Sequence, residues 1–354
     1  MAPSIQQFVS NFDGLDGLKK VDAPMPSPGQ GEVLVQIKTV SLNYRDMEVI
    51  CGEYTHHQSI NQGSTIVPCS DMCGIIQSVG SGTTKWKVGD RVLSTFIPDH
   101  QTGLLSEKAL SSGLGLPQPG VLTTHRVFPE HALIKAPEYM SDQEASTLTI
   151  AGVTAWMSIN GMRPLGQSGG RDEYILLQGT GGVSIAGLQL AKASGAKVII
   201  TSSSDDKLAK AKALGADFTI NYRKTPDWEK EVMKVTNGHG ADIILEVGGS
   251  KTLSKSFNCA AYNGLINCIG YTSGKAQAGG DQPNVNILAI SKVLTLKGII
   301  VGSTDRFEEM VRFVEKHEIH PVICKTFSFE EAKDALKYLE SGSHFGKVVI
   351  QVSS

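Results

Sequence analysis

A chain of 354 residues exceeds the usual single domain, so two domains are expected. Its 40% hydrophobic and 19% charged content with a formal charge of −2 is globular, and it lacks the basic excess that nucleic acid or an anionic membrane would call for. It has no apolar run of about 18 residues, its start, MAPSIQQFVSNFDG, lacks a basic, apolar leader, and its six scattered cysteines suit a reducing compartment, so a cytoplasmic location is expected.

The first 140 residues read as β-rich. Glu32 to Lys38 alternates apolar and polar positions, as a half-buried strand does, after a turn-rich entry at Pro24, Pro26, Pro28 and Gly29. Gly74 to Val79 and Asp90 to Leu93 are further short strands, and their spacing predicts a small barrel. Residues 97–119, rich in Gly, Ser, Leu and Pro, read as a long loop of the lid or binding kind. Ser141 and Glu144 form a capping-box pattern that opens one helix, SDQEASTLTIAGVTAWMSI.

From Tyr174 onward strands and helices alternate. Strands are expected at 174–178, 197–201, 217–220, 242–247, 264–269 and 294–301. Helices are expected near 183–194, 205–214, 227–236, 250–260 and 305–317, which gives an open parallel sheet covered on both faces. After Ile319 a strand, a helix and a closing strand, KVVIQV, return to the first domain. The domains expected are thus 1–140 with 319–354, and 141–318 between them.

The stretch from Glu173 to Ser204 organises this second part. An apolar strand runs into Gly179, Thr180, Gly181, Gly182 and Val183, and a helical stripe follows at Val183, Ala186, Gly187, Leu190 and Ala191. Such a turn aims backbone N–H groups and the positive helix end at one spot, which suits a pyrophosphate. Ser184 stands where G-x-G-x-x-G would have its third glycine, yet the strand before and the helix after support a dinucleotide site. The tip of the next strand carries Thr201, Ser202, Ser203 and Ser204, then Asp205, Asp206 and Lys207. With no carboxylate at the tip to take a ribose 2′-hydroxyl, hydroxyls and an ammonium favour a 2′-phosphate, and so NADPH over NADH. The alternative is that Ser204 or Asp205 merely caps the next helix.

These motifs, together with PGQGEVLVQI, VGSGTTKWKVGDRV, AKALGAD followed by NYR, and HFGKVVI, resemble the medium-chain dehydrogenase/reductase superfamily over nearly the whole chain. The resemblance implies an α/β protein: a Rossmann doubly wound parallel sheet plus a GroES-like β-barrel domain, forming a homodimer, with pairing through the strand near 294–301. Zinc-dependent alcohol dehydrogenases of that superfamily place a Cys after the first long strand and a His-Glu pair before a glycine turn. Here those positions hold Asn43 and Ser70, neither a usual zinc ligand, and the structural-zinc cysteine run is absent. The chain therefore resembles the zinc-free quinone and enoyl reductase side. His56, His57, Cys69 and Cys73 fall within 18 residues but match no common metal spacing, so no metal is expected.

By that resemblance Tyr54, in the turn Gly52-Glu53-Tyr54, is the candidate proton donor, and Asn43 and Tyr44 line the same cleft. Lys207 and Tyr222 match positions that hold the 2′-phosphate, and Gly179 to Val183 carry the pyrophosphate. Val247, Gly270, Tyr271 and Val301 close successive strands and flank the nicotinamide half, while Gly346 and Lys347 approach the phosphates from the tail. The expected activity is hydride transfer from NADPH to quinones or α,β-unsaturated carbonyls without zinc. Its rivals are an alcohol dehydrogenase or ketoreductase, and an NADPH-binding protein without turnover.

Overall fold

In the computed structural model, residues 3–54, 65–274 and 284–353 are described. The chain begins with the hairpin β1 (Ser4–Val9) and β2 (Lys19–Pro24), followed by β3 (Glu32–Ser41), helix α1 (Tyr44–Ile50), β4 (Asp71–Val79) and β5 (Arg91–Ser94). After α2 (Glu107–Leu110) come β6 (His125–Pro129), β7 (Leu133–Lys135) and α3 (Asp142–Ser146). A π-helical turn, Leu148–Gly152, leads into α4 (Val153–Asn160).

The parallel part then runs β8 (Tyr174–Gln178), α5 (Gly182–Ala193), β9 (Lys197–Ser202), α6 (Asp205–Ala213), β10 (Phe218–Asn221), α7 (Trp228–Val235) and β11 (Ala241–Glu246). It closes with α8 (Leu253–Cys259), β12 (Ala260–Cys268), α9 (Val285–Lys292) and β13 (Thr295–Gly298). The tail is α10 (Thr304–Lys316), β14 (Ile323–Ser328), α11 (Ala332–Glu340) and β15 (Lys347–Gln351).

Two compact units result, one of residues 1–153 and 302–354, the other of 154–301. In the first, the sheet order is β14-β15-β3-β4-β5-β7, with β6 paired to β3. β15 runs antiparallel to β3, so the last strand completes a sheet begun by the third. The sequence reading divides the chain at 140 and 318, and the structure moves both points. Tyr139 donates its hydroxyl proton to Val314 O (2.9 Å) or Ile319 O (2.7 Å), and Arg91 pairs with Asp142 at 2.5 Å, which ties 139–142 and α10 to the first unit.

The second unit is a six-stranded parallel sheet in the order β10-β9-β8-β11-β12-β13. This doubly wound order reverses between β8 and β11, the switch point beyond whose carboxyl ends sheets of this kind bind their ligands. Its hydrophobic centre includes Leu176, Ile199, Ile244 and Ile266, all fully buried.

Four expectations change. The single helix from Ser141 does start with its capping box (Ser141 Oγ accepts from Glu144 N at 3.2 Å), but it breaks at the π-turn. There the Ile150 N–H goes to Asp71 Oδ2 (3.1 Å) and Thr149 Oγ1 donates to Ser94 O (3.0 Å), drawing this stretch out of helical register. β12 starts four residues before the expected 264, and α9 fills a stretch where no helix is expected. The 97–119 loop is stitched down: Thr304 N donates to His100 O (2.9 Å), Thr102 Oγ1 to Asp305 Oδ2 (2.6 Å), and Leu114 and Leu116 are buried. A freely hinged lid is not what these bonds build.

Candidate functional site

The turn after β8 has the backbone the sequence calls for. Gly179 sits at φ 75°, a left-handed conformation that side-chain-bearing residues seldom adopt. Gly181 caps α5 without any side-chain cap, and no acidic residue occupies the first turn, so the positive helix end is left for an anion. Ser184, in place of the third glycine, is buried and donates to Gln178 O (2.8 Å), bracing the turn from behind. The close approach of helix to sheet falls instead to Gly187, where an added Cβ would lie 3.1 Å from Leu245 and 3.2 Å from Leu177.

The tip of β9 brings the second group together. Ser202 lies opposite Asn221 in the parallel β9–β10 pair, and Tyr222 N donates to Ser202 O (3.1 Å). Ser203 follows directly, Ser204 caps α6 by accepting from Lys207 N (3.4 Å), and the Tyr222 ring is exposed. Ser204 is thus a helix cap, and Ser202, buried with its Oγ accepting from Ser204 N (3.3 Å), meets Tyr222 where β9 and β10 end.

Beyond β11 and β12 the two turns are sewn to each other. Val247 O accepts from Thr272 N (3.1 Å), and Gly248 O accepts from Ser273 N (2.8 Å). Gly270 packs against Val247 O, and Tyr271 lies against Gly249 so closely that a Cβ there would fall 2.7 Å from its Cα. Beneath these turns lies a group the sequence reading misses. Glu246 is buried and accepts from Gln178 Nε2 (2.7 Å), Gly248 N (3.0 Å), Gly249 N (2.9 Å), Thr252 Oγ1 and Ser256 Oγ. It joins the end of β8 to the end of β11. Val301, the last residue of this unit, is buried, and Thr154 Oγ1 donates to Ile300 O (3.3 Å) beside it.

In the first unit, Asn43 and Asp46 start α1 as a capping box, with Asn43 N donating to Asp46 Oδ2 (2.8 Å). Tyr44 follows as an exposed aromatic, while Asn43 is buried. Behind them Lys347 is buried too, its Nζ donating to Leu42 O (2.6 Å) and Asn43 Oδ1 (2.5 Å). This overturns the expectation that Lys347 reaches out to phosphates: its ammonium is spent inside the first unit, where carbonyl oxygens replace its lost hydration. Asp71 completes the set, accepting from Ser70 Oγ (2.7 Å) and Ile150 N (3.1 Å).

Burial dominates the electrostatics here. It pushes the Asp46 carboxyl up to about 7, with the Asp71 charge adding and Arg45, the Asn43 N–H and Lys347 opposing. Burial likewise raises Asp71 against Lys347, Asn43, Ser70 and the Ile150 N–H, and lowers Lys347 against the pull of both carboxylates. A carboxyl raised on folding binds its proton more tightly folded than unfolded, so its contribution to stability falls as pH rises from about 4 to about 7. Asp46→Asn keeps an oxygen for the Asn43 N–H and has nothing to ionise. Urea midpoints across that pH range are expected to fall less in the variant, by the equivalent of a few kcal/mol; equal falls would contradict the assignment.

Tyr54 is not placed as an open donor. Its ring is buried with Val49, Ile66 and Leu116, and the Arg45 guanidinium stacks on it at 4.6 Å and on Phe96 at 4.8 Å. Arg45 is fixed in turn by Leu114 O (3.2 Å) and Leu116 O (2.6 Å). Of the four residues weighed for a metal, His56 and His57 lie outside the described residues. Cys69 and Cys73 are buried, their thiols pushed up by burial.

Residues 29–138 match the family model of the alcohol dehydrogenase GroES-like domain, and 182–316 that of the zinc-binding dehydrogenase. A zinc-type alcohol dehydrogenase-like protein of Schizosaccharomyces pombe is 40% identical over 96% of this chain and 97% of its own. A chloroplastic quinone oxidoreductase of Triphysaria versicolor is 27% identical over 98% of this chain and 97% of its own. Among solved structures, a putative alcohol dehydrogenase from Sinorhizobium meliloti 1021 superposes with a TM-score of 0.87 at 37% identity, covering 99% of this chain and 100% of that one. With near-full-length relatives on both sides and the two family models falling in order along it, this chain belongs to the medium-chain dehydrogenase/reductase superfamily of oxidoreductases.

Proposed function

We propose that the protein is an NADPH-dependent oxidoreductase that reduces quinones or α,β-unsaturated carbonyl compounds without zinc. The observation that carries this reading is the donor set at the zinc positions. Asn43 Oδ1 is taken by the Lys347 ammonium, and Ser70 spends its hydroxyl proton on Asp71. A fixed ammonium 2.5 Å from the first ligand position disfavours a divalent cation there, and Asn and Ser are weak zinc donors. Among the described residues no three His, Cys, Asp or Glu side chains converge as a metal site. The relative named as a quinone oxidoreductase supports the same side of the superfamily.

NADPH, when bound, supplies a hydride, and a proton from water completes reduction of an activated C=C bond or a quinone. The backbone of Gly179, Thr180, Gly181, Gly182 and Val183 receives the pyrophosphate, and Ser202, Ser203, Lys207 and Tyr222 receive the 2′-phosphate. Val247, Gly270, Tyr271 and Val301 shape the nicotinamide side, held rigid from below by Glu246. Asn43, oriented by Lys347, and Tyr44 present the polar and aromatic groups on the substrate side. Tyr54 serves by packing under Arg45.

The chain pairs with a second copy through β13. That strand is the sheet edge, Leu296 on it is partly exposed, and Ile287, Ile290 and Val293 beside it are exposed. The test is fluorescence titration of metal-analysed protein with NADPH and NADH, with mass measured on the same sample. Tight NADPH binding, weak NADH binding, no stoichiometric zinc and about twice the 37.8 kDa chain mass are expected. Stoichiometric zinc would return the reading to alcohols. An NADPH complex inert on a broad enone and quinone panel would indicate binding without turnover.

A further inference from the structure

The first carboxylate after the tip of β9 is Asp205, the opening residue of α6. A carboxylate near this tip is the group that takes a ribose 2′-hydroxyl, and the same charge repels a 2′-phosphate. Asp205 is nevertheless engaged elsewhere. Its Oδ1 accepts from Asn221 Nδ2 (2.6 Å) and its Oδ2 from Lys224 Nζ (2.5 Å). Asn221 ends β10 and Lys224 follows it, and β10 is the edge strand on the side of β9 opposite to β8 and its glycine turn. The carboxylate is thus drawn to the outer flank of the sheet.

The partners are themselves set. Asn221 Oδ1 accepts from Arg223 N (3.0 Å), which fixes the amide so that its NH₂ faces Asp205. Asn221 O accepts from Lys224 N (3.1 Å) and Thr225 N (2.8 Å), closing a tight turn that carries Lys224 to the carboxylate. The hydrogen bond from Lys224, then that from Asn221, holds the Asp205 carboxyl below its usual range.

We propose that Asn221 and Lys224 act as a clamp that withdraws Asp205 from the ribose position and so determines the choice of NADPH over NADH. The clamp rests on the NADPH reading above and deepens it: discrimination lies both in the hydroxyls offered at Ser202 and Ser203 and in an acid kept out of reach. Releasing Asp205 lets its charge oppose the 2′-phosphate and accept from a 2′-hydroxyl instead.

The experiment measures NADPH and NADH dissociation constants by fluorescence for wild type, Asn221→Ala/Lys224→Ala, and the triple variant that adds Asp205→Ala. Asp205 and Lys224 are exposed and Asn221 is half-buried at the end of β10, so the double and triple variants share any loss at Asn221 and their thermal melts are expected to coincide. The ratio favouring NADPH is expected to fall about tenfold in the double variant and to return to within about twofold of wild type in the triple. An unchanged ratio in the double variant overturns the clamp. So does failure of Asp205→Ala to restore it, because Lys224 would then be holding the phosphate directly. Wild type preferring NADH overturns the cofactor reading itself and the clamp with it, so the two failures are told apart by the wild-type measurement.

Discussion

Replacing Glu246 by Ala is expected to lower the unfolding free energy by about 3–5 kcal/mol, because it strands buried hydrogen-bond donors rather than removing a surface charge. The carboxylate accepts from two backbone N–H groups at Gly248 and Gly249, one amide and two hydroxyls. Hydroxyls can rotate toward other acceptors, whereas backbone N–H groups in a fixed turn cannot. Glu246→Gln is therefore informative. Its carbonyl can stay on the glycine N–H pair while its NH₂ turns to Ser256 Oγ, which can accept, so a smaller loss of about 1–2 kcal/mol is expected. Urea unfolding of both variants checks the order. Equal, negligible losses would mean that water replaces the carboxylate, and the bracing of the 247–249 turn would have to come from elsewhere.

Lys347→Met is expected to have a comparable effect, about 3–5 kcal/mol, for the opposite reason: it removes the buried cation and leaves the carboxylates. Asp46 and Asp71 are both fully buried, and the Asn43 Oδ1 and Leu42 O atoms that now accept from Lys347 lose their donor. Without the ammonium both carboxyls rise further, so the folded state holds protons that the unfolded state releases. The loss should then be largest above neutrality and shrink on acidification, and adding Asp46→Asn should recover part of it at high pH. Denaturant midpoints at pH 5 and pH 8 decide the matter. A loss independent of pH would show that the methylene stem of Lys347, and not its charge, is what the site needs.

The parallel sheet was legible because its information is local. The central strands β8, β9 and β11 are short apolar runs, and most of the intervening helices other than α9 carry a stripe or cap within about a dozen residues. α9 escaped because VNILAISK is apolar on nearly all sides, and apolar runs do not distinguish helix from strand by period alone. The buried charge set of the first unit was illegible for a different reason. Asn43 and Lys347 meet across 304 positions, and the Ile150 N–H that steadies Asp71 is a backbone group with no signature in the sequence. Read locally, a lysine after a glycine near the chain end resembles a phosphate ligand, and a tyrosine in a glycine turn resembles a donor. Packing assigns Lys347 to Asn43 and Tyr54 to Arg45. Ser202 and Tyr222 are legible because the strand tip and the NYR segment each show in sequence, whereas Glu246 beneath the neighbouring turns is not.

The return of β15 to β3 also sets the order in which the molecule can be finished. On a ribosome the first 153 residues emerge with the Thr39–Ser41 end of β3 open on the side that β6 does not reach, and with Asp46 and Asp71 lacking their ammonium. The second unit is built of neighbouring strands and can close as soon as β13 is made, whereas the first must wait for the final strand. The earliest-synthesised part of the chain is thus the last to mature, and the residue that seals it, Lys347, is also the one that orients Asn43. A nascent or clipped chain without β15 would have a finished parallel sheet in its second unit and buried carboxylates still unsealed in its first, making β15 the strand on which maturation of the first unit depends.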